Sequence, residues 1–102
     1  REEMPLLAAY SRQPGAIEVV GIALDTASDA STFLAAHPVP FAILVETPGE
    51  RDSSVQLGNR RGVLPFSVLI GADGRVLQRR FGAFHSTTDL QEWSMTAMPA
   101  AP

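Results

Sequence analysis

Residues 62–82 read GVLPFSVLIGADGRVLQRRFG, and the order of signals within them decides the fold. Phe66 to Ile70 is an apolar run with one serine, the composition of a strand covered on its faces. The "GADG" that follows is turn chemistry with Asp73-Gly74 at the tip. Arg75 to Phe81 then returns as a strand, with four polar residues in seven. Such a strand belongs at a sheet edge, where its arginines also discourage pairing with other chains. The stretch is therefore an antiparallel hairpin. Pro65 stands directly against its first strand. Taken alone, Pro65 fits an ordinary trans proline opening a strand, where a missing N–H is tolerated.

Upstream of the hairpin, Val55 to Asn59 has the length of a short helix, although Gly58 weakens it. Thr47 to Ser54 is loop by composition. Val39 to Glu46 and Glu18 to Leu24 are both mostly apolar and read as strands buried on both faces, the pattern of a parallel sheet under helices. Pro40 sits near the start of one, and Gly21 marks a close backbone approach in the other. Between them Ala30, Phe33, Leu34 and His37 fall on one helical face, with Ser28 or Asp29 as the expected cap and Pro38 as the stop. Arg1 to Arg12 reads as a helix with Met4, Leu7 and Ala8 on one side. Glu2 and Glu3 suit its first turn, pointing to water near the positive helix end. Pro5 fits only if it too lies in that turn. Past the hairpin, Ser86, Thr87 or Thr88 caps a last helix carrying Leu90, Trp93 and Ala97 along one side. Alternating helices and strands followed by a hairpin predict an α/β domain with a mixed sheet and helices on both faces. The expected domain is residues 1–98, with 99–102 as a tail.

Composition narrows the function. The chain has 102 residues, 45% of them hydrophobic, and a net charge of -3. One core of ordinary size follows. An acidic balance with only short basic spots, at Arg60-Arg61 and at Arg75 with Arg79-Arg80, gives no nucleic-acid surface, and a solvated face is the simple reading of those arginines. No apolar run reaches the roughly 18 residues of a membrane span. There is no cysteine, so this chain alone holds neither disulfide nor thiolate.

With these segments in order, the chain resembles the TlpA/ResA-like thiol-disulfide oxidoreductases, redoxins of the thioredoxin superfamily. "REEMPLL" is similar to the helix segment that follows their Cys-x-x-Cys pair. "VVGIALD" is similar to a core strand, and "GVLPFSVLIGADGRVLQRRFG" to the cis-proline loop and hairpin. The resemblance implies a three-layer thioredoxin-like fold with a mixed central sheet. It also implies that a first core strand and the Cys-x-x-Cys turn belong before Arg1, between the "VVGIAL" and "FSVLI" strands. Residues of a longer chain fill that place, another chain fills it, or the remaining strands close up. A sequence that begins inside a helical pattern favours the first.

The resemblance implies a cis Leu64–Pro65 bond and makes Leu64 and Pro65 the substrate-binding residues, pairing with an extended segment of a protein thiol or disulfide partner. Arg1, Glu2, Glu3 and Pro5 become the helix behind the missing thiols, with no catalytic residue in this chain. No cofactor and no metal ligand are expected. An extracytoplasmic or periplasmic location, with a possible membrane anchor elsewhere, is implied likewise. The rival expectation is a cysteine-free module that binds peptides at the same loop. His37 reads as packing at a helix end and His85 as an exposed loop residue. Asp25, Asp29 and Asp73 have turn and cap roles. Trp93 and Phe33 read as core.

Overall fold

The computed structural model describes residues 3–96. Eight elements follow in order: α1 (Met4–Ser11), β1 (Val20–Leu24), α2 (Ala27–Ala36), β2 (Ala42–Glu46), α3 (Ser53–Gln56), β3 (Phe66–Ile70), β4 (Val76–Phe81) and α4 (Thr87–Thr96). Arg1, Glu2, Ala97 and the expected tail lie outside the described residues.

The hairpin forms as expected. β3 and β4 pair antiparallel, from Phe66 opposite Phe81 to Ile70 opposite Val76. The register shifts at Leu69/Ile70, which leaves Leu77 unopposed as a bulge. Gly74 closes the turn with φ +84, and its N–H donates to Gly71 O at 2.9 Å. That left-handed conformation suits glycine because it lacks a Cβ.

β1 and β2 pair in parallel, with Val20 opposite Ala42 and Leu24 opposite Glu46. The close approach at Gly21 is real: a Cβ there would stand 2.5 Å from Ile43 Cδ1 on the neighbouring strand. The expected burial of both strands is not. Val20, Ile22, Leu44 and Val45 are all exposed. The reason lies in the sheet. It is two separate two-stranded pieces, β1-β2 and β3-β4. Among the described residues no strand joins them, so the remaining strands do not close up. Helix α2 packs on β2.

Helix ends account for several smaller differences. Thr26, not Ser28 or Asp29, caps α2, its hydroxyl accepting from the Asp29 N–H at 3.1 Å. The short helix begins at Ser53 rather than Val55 because Asp52 caps it. Ser86 does act at the last helix, its hydroxyl accepting from the Asp89 N–H at 3.0 Å. Pro5 lies in the first turn of α1, as its missing N–H requires.

The core gathers Tyr10, Phe84 and Leu90, with Leu6, Leu7, Val19 and Trp93 packed around them. Phe84 and Trp93 meet edge to face, their centroids 5.2 Å apart, a favoured aromatic geometry. Tyr10 also takes the Ile17 N–H on its hydroxyl at 3.1 Å, which ties α1 to the segment entering β1. Phe33 is not part of this core; it is half-buried and stacks on His37 at the end of α2.

Candidate functional site

The loop before β3 is held from behind by a residue that the sequence reading passed over. Asn59 is 0% exposed. Its Oδ1 accepts the Val63 N–H at 3.0 Å, and its Nδ2 donates to Val63 O at 2.7 Å. One buried amide thus takes both main-chain groups of Val63, as a neighbouring strand would. Gly58 makes this placement possible. It has φ +117, and a Cβ there would come within 2.7 Å of Arg79 Nε. The sequence signal was present in "LGNRRG": Asn and Gly tolerate the tight backbone that a chain reversal demands.

A second layer supports Asn59. Asp52 is buried and accepts from the Ser54 hydroxyl at 2.7 Å and from the N–H groups of Gly49 and Val55 at 3.1 Å each. The Ser54 hydroxyl in turn accepts from Asn59 Nδ2 at 3.5 Å. These hydrogen bonds, that of Ser54 first, hold the Asp52 carboxyl below its ordinary range.

The next residues face the other way. The Leu64–Pro65 bond is cis. Pro65 O accepts the Gly82 N–H at 2.9 Å, and Pro65 has no N–H to give. Leu64 is 60% exposed, and among the described residues neither its N–H nor its C=O is hydrogen-bonded. Of the three residues 63–65, only Leu64 offers a main-chain donor and acceptor to an incoming chain. Beside it, Gly58, Arg60, Arg61, Val63 and Phe81 line an open cavity of about 410 Å³.

The start of α1 lies close by, but its acid does something else than expected. Glu3 does not point to water. It is buried, and its Oε2 accepts the Phe84 N–H at 2.9 Å. Phe84 is two residues beyond Gly82, which bonds Pro65, so their Cα atoms are at most about 7.6 Å apart. Glu3 and Pro65 are thereby drawn together through one short segment. Arg1 and Glu2 are outside the described residues.

Arg80 fixes that segment, and so is no solvated charge. It forms a paired contact with Asp89 (Nη1 to Oδ1 3.2 Å, Nη2 to Oδ2 2.8 Å), donates to Ala83 O at 2.9 Å, and stands 4.5 Å over the Phe84 ring. Such bidentate pairs combine charge with orientation. The His85 N–H and then Arg80 keep the Asp89 carboxyl below its ordinary range. Arg79 donates its Nε to Leu57 O. His85 and His37 are exposed, and Asp73 accepts the Arg75 N–H within its turn. Among the described residues no group of three or more His, Cys, Asp or Glu side chains is arranged for a metal.

Among solved structures, the chain is similar to that of a thioredoxin-related protein from Neisseria meningitidis serogroup B. The two share 32% identity with a TM-score of 0.75, over 94% of this chain and 73% of that one. No protein-family model matches the chain, and no curated protein matches it.

Proposed function

From the premise that this chain belongs to the thioredoxin-related proteins and has their fold, we propose that its Leu64–Pro65 loop receives an extended segment of a partner protein, in a protein that exchanges disulfides. The observation that carries the reading is the division of labour at residues 63–65. Asn59 occupies the main chain of Val63, Gly82 occupies the carbonyl of Pro65, and Leu64 is left exposed with its N–H and C=O free of described partners. One residue with a free donor and acceptor is the minimum for strand-like pairing.

The finer assignment is to the TlpA/ResA-like branch, and it rests on the "REEMPLL" and "GVLPFSVLIGADGRVLQRRFG" segments. In that assignment a Cys-x-x-Cys pair precedes Arg1, at the end of α1 nearest the loop. Helix N–H groups there favour a thiolate. The thiolate attacks a partner disulfide and expels one partner sulfur as thiolate. The second cysteine then attacks the mixed disulfide and expels the other, so two electrons pass from the dithiol to the partner. Leu64 holds the partner chain in place through both steps. An extracytoplasmic site of action, with or without a membrane anchor, is part of the same proposal; no described helix is long and apolar enough to cross a membrane.

The lack of cysteine in these residues favours a second reading, a peptide-binding module that uses the same loop without redox chemistry. Insulin reduction by the full-length protein separates the two. Turnover that is lost on replacing cysteines before Arg1 supports the exchange reading. No turnover, together with peptide binding that Leu64→Pro abolishes, supports the module. Peptide binding unaffected by Leu64→Pro would remove the loop from both.

A further inference from the structure

We infer that the partner segment received at Leu64 is acidic, and that Arg60 and Arg61 take its carboxylate while Val63 and Phe81 take an apolar side chain beside it. The inference rests on the proposed function, since it states what the extended segment carries.

Arg60 and Arg61 are adjacent and exposed, and both line the cavity next to Leu64. Their position is set by the turn that Asn59 begins: the Arg60 N–H donates to Gly58 O at 3.0 Å and the Gly62 N–H to Asn59 O at 3.3 Å. Among the described residues neither guanidinium has a hydrogen-bond or carboxylate partner. Arg75, Arg79 and Arg80 differ, facing Asp73, Leu57 O and Asp89. Among the described residues no acid lines the cavity, although the chain as a whole carries a charge of -3. An acidic protein thus leaves two fork-shaped cations unspent at the place where a chain can pair. A guanidinium matches a carboxylate with two parallel N–H donors.

The remaining lining is apolar. Phe81 is 54% and Val63 37% exposed, and Phe81 is braced by Phe66 at 5.1 Å between centroids. Side chains two apart on an extended strand share a face. The segment that fits therefore carries an apolar residue and an acid at positions i and i+2. A nucleic acid fits less well. Its affinity comes from many phosphate contacts, and among the described residues two basic side chains line the cavity.

The test is fluorescence anisotropy on the full chain. The probe is a labelled short peptide with leucine and glutamate two residues apart, compared with its glutamine twin. The glutamate peptide should bind about fivefold more tightly at low salt, the range of an exposed ion pair, and that advantage should shrink at about 0.5 M salt. In R60Q/R61Q the advantage should vanish while the glutamine peptide binds as before. Equal binding of the two peptides to the unmodified protein overturns the inference and leaves the loop reading intact. So does a preference that survives high salt or the double substitution, or displacement of the peptide by an equimolar oligothymidylate. Failure of both peptides to bind overturns the loop reading and this inference together. The salt comparison uses no variant, so it stands even if R60Q/R61Q folds poorly.

Discussion

One half of the molecule, built on α1, α4 and the β3–β4 hairpin, closes around Phe84. The other, built on β1, α2 and β2, closes around little more than Ala30. The strands of the second half are the more apolar, so strand hydrophobicity does not account for the closure of the first. The first half has cross-links between distant segments: Glu3 to the Phe84 N–H, Arg80 to Asp89, Gln78 Nε2 to Trp93 O at 3.1 Å. In the second, the side chains of Val20, Ile22, Leu44 and Val45 remain exposed. The candidate site belongs to the first half. The loop at Leu64 stands on a fixed platform, set by the hydrogen bonds of Asn59 to Val63 and of Gly82 to Pro65.

The largest effect is expected at Phe84. Phe84→Ala should lower the unfolding free energy by about 3–5 kcal/mol, since it removes a buried ring and leaves a cavity. Denaturant titration reads this directly, and a loss under 1 kcal/mol would place the core elsewhere.

Asn59→Ala comes next. It removes both hydrogen bonds to the Val63 main chain, at about 0.5–1.5 kcal/mol each. It should also weaken peptide binding at Leu64, whereas Phe84→Ala, measured where it is still folded, weakens it less. If Asn59→Ala destabilises without touching affinity, then the amide supports the fold and not the loop.

Acidification sharpens the same contrast. Asp52 and Asp89 have carboxyls held below their ordinary range in the folded protein. The unfolded chain therefore binds protons first as pH falls. Their contribution is present above the ordinary carboxylate pKa of about 4 and is lost as pH drops below it. Thermal unfolding between pH 6 and pH 3 should show the decline, and Asp52→Asn should flatten part of it. An unchanged slope in that variant would mean that Asp52 titrates alike in both states.

The smallest effect is expected in the open half. Leu44 is 57% exposed, so Leu44→Thr should stay within about 0.5 kcal/mol. A loss above 2 kcal/mol would show that this face is covered in solution.

Much of the fold is legible in local chemistry. The "GADG" turn, the polar return strand, Pro5 in a first turn and the serine before α4 each act through neighbours a few residues away. The cis Leu64–Pro65 bond was implied by the resemblance alone, since a proline before an apolar run reads by itself as an ordinary trans strand opener. The missed features depend on distant partners. Asn59 looked like the end of a weak helix, and nothing nearby said that its amide would be buried against Val63. Glu3 looked like a first-turn acid because its partner, Phe84, is 81 positions away. Arg80 looked solvated because Asp89 approaches only once α4 packs.

By itself the sequence determined which segments are helix and strand, where the hairpin turns, and that no thiol lies in these residues. Those properties follow from side-chain periodicity, backbone sterics and composition, which are local. Only the tertiary structure decided which apolar strands are covered, which charges are buried and paired, and that Leu64 is the residue left open. Burial and pairing depend on what meets in space, and an apolar run reads the same whether or not another element comes to cover it.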